Sequence, residues 1–121
     1  MYFEIDNFNA LERALHEMWR RLEAMKVPEQ SLFDSKLVAS ELLNNVLLHG
    51  GERAIFSALL DGEVIRIRVQ GNNRYCPPER SECSDVYAES GRGLFLVDAL
   101  CESRSYSDSE GISVVIRIVE K

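Results

Sequence analysis

Residues 53–60 and 63–70 constrain the fold more than any other stretch, because Asp61-Gly62 is a two-residue turn signal between two alternating segments. In Val64-Ile65-Arg66-Ile67-Arg68-Val69, the residues Ile65, Ile67 and Val69 point one way and Arg66 and Arg68 the other. The hairpin therefore belongs to a sheet with one buried and one wet face. Two amphipathic segments are available to cover the buried face. From Asn9 onward, Leu11, Leu15, Met18, Trp19, Leu22 and Met25 recur at helical spacing, giving a first helix that ends before Pro28. Its polar side (Glu12, Arg13, Glu17, Arg20, Arg21, Glu23) reads as a solvated face, with His16 at the surface. A second helix is predicted from Ser35 to the stop at Gly50-Gly51, with Leu37, Val38, Leu42 and Val46 as its stripe, Leu43 and Leu47 widening it, and Ser31 or Asp34 as cap.

Tyr2 to Ile5 reads as an opening strand followed by Asp6-Asn7 as turn or cap. Ser103 to Ser107 and Ile112 to Val119, joined around Asp108 to Gly111, read as a closing hairpin in which Ile112, Val114, Ile116 and Ile118 alternate. The chain is then an α+β two-layer sandwich, a mixed and mostly antiparallel sheet with helices on one face, and residues 1–121 form one domain.

Fourteen basic and twenty acidic residues give a net charge of −6. With no Lys/Arg cluster on any expected face, nucleic acid is excluded as the main partner. Neither a membrane-length apolar run nor a basic-then-apolar leader is visible, so the cytoplasm is the expected location and no membrane is involved. An odd set of three cysteines, Cys76, Cys83 and Cys101, argues for free thiols. The Cys76 and Cys83 pair lacks the spacing and second ligand pair of a zinc site.

What an amphipathic helix does not need is Glu41, Asn45 and His49 at i, i+4 and i+8, stacked one turn apart beside the apolar stripe. A carboxylate, an amide and an imidazole there cost desolvation unless they meet partners, so the face reads as a site wall; the plain alternative is a solvated polar face. Residues 71–90 have neither helical nor strand period and carry Pro77 and Pro78, the pattern of a lid, a binding loop or a disordered insert. Gly91-Arg92-Gly93 then runs into the apolar Leu94 to Leu100, a short helix. A glycine pair at a helix start can receive an anion, since free N–H groups and the positive dipole end lie there.

In this order the motifs resemble the GHKL ATPase superfamily, most closely its small bacterial branch of anti-sigma-factor serine/threonine kinases, and the resemblance spans nearly the whole chain. Residues 40–50 look like the family's N-box and residues 91–97 like its second glycine box. The resemblance implies that Glu41 is the base orienting the attacking hydroxyl, that Asn45 is the Mg²⁺ ligand, and that His49 flanks the same nucleotide site. Gly91, Arg92, Gly93 and Leu94 would wrap the phosphates of ATP, residues 74–90 would form a lid, and Ser113 would lie near the adenine. It also implies a protein partner in a partner-switching circuit (an antagonist, a sigma factor or a phosphatase regulator) and a homodimer, which no residue pattern here specifies. One motif departs. Relatives place an adenine-recognising Asp after the central strand, and here that position falls on Gly71 or Asn72. A degenerate module that binds a partner without catalysis is the alternative.

Overall fold

The computed structural model describes residues 1–49, 53–71, 96–107 and 111–118. Its strands are β1 (Tyr2–Ile5), β2 (Ala54–Asp61), β3 (Val64–Gly71), β4 (Ser103–Ser107) and β5 (Gly111–Arg117), and its long helices are α1 (Phe8–Ala24) and α2 (Glu29–His49). The strands form one sheet in the order β1-β2-β3-β5-β4, and every pairing among them is antiparallel.

Register explains why one face is buried. Residues directly opposite across a ladder share a face. Val69 stands between Phe56 and Ile112, Ile67 between Ala58 and Val114, and Ile65 between Leu60 and Ile116. Phe3 extends this face to the edge strand by stacking on Phe56 at 5.5 Å between ring centroids. Against it pack Leu11, Leu15, Met18 and Leu22 of α1 and Val38, Leu42, Leu43 and Val46 of α2, in one core cluster. The opposite face, with Ser57, Leu59, Arg66, Arg68, Ser113 and Val115, has no helix over it among the described residues.

Asn7 caps α1 by accepting the Ala10 N–H at 2.8 Å on its side chain. At the other end Lys26 adopts φ 68°. The Val27 N–H reaches the Leu22 carbonyl and the Lys26 N–H that of Glu23, the paired bonds that close a helix through a left-handed residue. Buried Val27 then turns the chain into Pro28.

Two sequence-based boundaries shift. Helix α2 starts at Glu29, not Ser35, so Ser31 and Asp34 lie inside it and cap nothing. Within the helix the Ser35 hydroxyl donates to the Ser31 backbone carbonyl at 2.7 Å, and the Gln30 amide donates to the Asp34 carboxylate. The hairpin loop is Gly62-Glu63, because Asp61 still pairs with Val64. Gly62 at φ 62° takes the first loop position, where a tight hairpin turn requires a positive φ.

The site end of the domain follows from this topology. Ala54, first in β2, pairs with Gly71, last in β3, and Gly111, first in β5, lies against Val69 and Gln70. Helix α2 finishes just before β2 begins, so its last turns and these strand ends gather together. Residues 96–100 are helical and bury Val97 in the core. The Arg104 to Asp98 ion pair, at 2.6 Å, ties that turn to β4. No helix among the described residues is long and apolar enough to cross a membrane.

Candidate functional site

Helix α2 presents Glu41 and Asn45 in one i, i+4 row, and the row rotates by about 40° per step relative to the helix axis. That drift carries successive residues from water towards the core. Glu41 is half-buried and, among the described residues, has no hydrogen-bond or ion-pair partner. Asn45 is only 4% exposed, and its Nδ2 finds no hydrogen-bond partner among the described residues. Its neighbour Asn44, by contrast, reaches the Ser40 hydroxyl at 3.5 Å.

A buried amide without a partner costs about 1–3 kcal/mol. Native proteins rarely keep such a group without a use for it. Turning an amide about its last torsion exchanges the oxygen and nitrogen ends, so Asn45 can offer a ligand either an acceptor or a donor. It lies in the last turns of α2, where the helix dipole is negative and favours a cation. No cluster of three His, Cys, Asp or Glu side chains among the described residues could hold a metal. A metal at Asn45 could take its other ligands from a bound molecule and water. Those donors fit Mg²⁺ carried on a nucleotide, which is satisfied by an amide oxygen, phosphates and waters.

The remaining sequence-predicted residues divide three ways. His49 ends α2, and its side chain lies outside the described part of the structure, as do Asn72, Gly91, Arg92, Gly93, Leu94 and the expected lid at 74–90. Gly71 is at the site end of the sheet and on the helix-covered face, opposite Ala54. Ser113 is not brought to the site. It pairs with Arg68 and Ser105 on the outer face, lining a depression of about 380 Å³ with Met1, Leu59 and Arg66. The adjacent Ile112 is the residue that points to the core. The sheet thus separates Ser113 from Glu41 and Asn45.

Gly111 is a residue that the sequence reading passed over as part of a turn. At φ 77°, a Cβ there would collide with the Val69 carbonyl and come within 2.8 Å of Gln70 Cα. The signal was a glycine immediately before an alternating run.

Cys101 is a free, partly buried thiol. Burial, helped by the Asp98 carboxylate, pushes its pKa up to about 12. It is therefore a poor nucleophile at neutral pH.

Residues 7–118 match the family described as the histidine kinase-like ATPase domain. No curated protein matches the chain significantly. The family match covers most of the sequence, and the chain belongs to this family, the ATPases of the GHKL type.

Proposed function

We propose that this histidine kinase-like ATPase domain is an ATP-dependent serine/threonine protein kinase of the anti-sigma-factor type, acting on a protein partner in a cytoplasmic bacterial partner-switching circuit. The observation that carries the reading is the buried Asn45 amide one helical turn from Glu41, both without a partner among the described residues. Asn45 would hold Mg²⁺ through the amide oxygen, and Gly91, Arg92, Gly93 and Leu94 would receive the phosphates of ATP; the ion would supply positive charge against them.

Glu41 accepts the proton of a partner's serine or threonine hydroxyl as that oxygen bonds to the γ-phosphorus. The bond to the β–γ bridging oxygen breaks and its electron pair leaves with ADP; Glu41 then returns the proton to solvent. Most of the work asked of the chain is positioning and charge stabilisation, and one carboxylate with one amide on a rigid helix is suited to it.

A second reading has its own observation. Strand β3 ends in Gly71 and is followed by Asn72, so no carboxylate stands where relatives recognise the adenine. In that reading the fold serves as a partner-binding module with weak or no nucleotide affinity. Calorimetry with Mg-ATP separates the two: binding heat and a thermal shift support the kinase, and neither at millimolar nucleotide leaves the module.

A further inference from the structure

The helix-covered face of the sheet is apolar along β1, β2, β3 and β5, but β4 sets a cation in it. Arg104 stands opposite Val114, which itself stands opposite Ile67, so its side chain starts on the side that packs against the helices. A valine or leucine there would continue the core. The Arg104 side chain is instead only 9% exposed and forks onto Asp98, Nε donating to Oδ1 at 2.6 Å and Nη2 to Oδ2 at 3.2 Å. A charge pair drawn out of water gains little beyond its own desolvation, whereas a two-bond fork fixes two groups in one orientation. Geometry is therefore what the pair contributes.

What the fork orients is the helical turn at residues 96–100. Val97 is fully buried and its carbonyl accepts the Cys101 N–H at 2.9 Å, while the Glu102 N–H reaches the Val115 carbonyl at 2.7 Å. These contacts anchor the turn to the core and to β5, and the Asp98 to Arg104 pair stops it from rotating about that anchor. Leu96, the first described residue of the turn, follows Leu94 by two positions. We propose that Arg104, acting through Asp98, is a positioning residue for the phosphates of the bound nucleotide: it locks the turn against β4 and so fixes where the Gly91 to Leu94 segment meets them. The proposal rests on the ATP-binding reading and adds to it a residue that acts through the chain and not by contact with the nucleotide.

The test uses the full chain with Arg104→Lys, Asp98→Asn and the two combined. Arg104→Lys keeps the charge but loses the fork, and Asp98→Asn keeps the shape but loses the charge. Mg-ATP affinity is read by calorimetry. Hydrogen exchange of the nucleotide-free protein is read at the Cys101 amide and at the central amides of α2. Each single variant should weaken Mg-ATP binding by roughly tenfold, the scale of coupling through residues that do not touch the ligand. Each should also speed exchange at Cys101 while α2 keeps the protection of the parent. The double variant should lose no more than the weaker single variant, since the two residues act as one unit.

Variants that bind Mg-ATP as the parent does overturn the positioning role and leave the ATP-binding reading standing. Exchange that rises equally in α2 also overturns it, because the pair then serves global stability alone, and so do losses that add in the double variant. A parent chain that gives no binding heat with Mg-ATP removes the ATP-binding reading itself, and the positioning role falls with it whatever the exchange at Cys101 shows.

Discussion

Glu41 and Asn45 are one helical turn apart yet live in different surroundings: the carboxylate is half-exposed and the amide nearly sealed, and neither has a partner among the described residues. Their mutants should therefore fail in different ways. Glu41→Ala removes no ion pair, so its melting temperature and Mg-ATP affinity should stay near those of the parent, while transfer falls by about a hundredfold or more. A stable Glu41→Ala with full transfer would sink the assignment.

Asn45→Leu should raise the stability of the nucleotide-free protein by about 1 kcal/mol, because an apolar side chain replaces an unpaired buried amide. The same variant should lose its thermal shift with Mg-ATP. Melting curves with and without nucleotide test both halves at once, and a destabilised Asn45→Leu would mean that the amide is already satisfied in the free protein.

The missing carboxylate after β3 can be restored. Gly71→Asp and Asn72→Asp each place a charged acceptor where the adenine amino group is expected. One of the two should tighten ATP binding by about ten- to a hundredfold, the usual range for a charged hydrogen bond. Calorimetry with ATP and GTP should show the gain for ATP alone.

Backbone geometry predicts opposite signs at two positions. Lys26 occupies a left-handed conformation that costs a side chain energy, so Lys26→Gly should stabilise the fold by roughly 0.5–1 kcal/mol. Gly111→Ala should destabilise it by more than about 2 kcal/mol, since its Cβ would meet backbone and not a movable side chain. Urea midpoints of the two variants should move in opposite directions.

Cys101 gives a pH dependence whose sign follows from its protonation. The folded state holds the thiol neutral up to about pH 12, against an ordinary value of 9.0. The unfolded chain therefore loses this proton first. The contribution to stability is fully present below about pH 9 and is lost between there and about pH 12. In Cys101→Ala that part of the pH profile should flatten. Native alkylation followed by peptide mapping should find Cys101 labelled only slowly at neutral pH.

Much of this architecture was legible because alternation and helical period are direct consequences of burying one face. Ile65, Ile67 and Val69 announced the sheet's inner face, and Asn7 announced the start of α1. What escaped was the behaviour of polar residues that satisfy one another. Ser31 and Asp34 looked like helix caps, yet α2 runs through both, and the Ser35 hydroxyl donates to the Ser31 backbone carbonyl inside it. Asp61 looked like a turn residue, but it remains in the ladder and accepts from Arg66 at 2.9 Å. Ser113 is a different case. The alternation of Ile112, Val114 and Ile116 already turned it outward, and a motif-based position near the adenine ran against that pattern. Asn45 shows the limit in the other direction, since a sequence can set an amide beside an apolar stripe but cannot tell that it is left unpaired.

Because α2 lies across β2, β3 and β5 and carries much of the core, its central amides should exchange hydrogen only when the whole domain opens. Glu41 and Asn45 then inherit the lifetime of the native state itself. This helix is therefore the fixed side of the site, set by the same contacts that hold the domain folded.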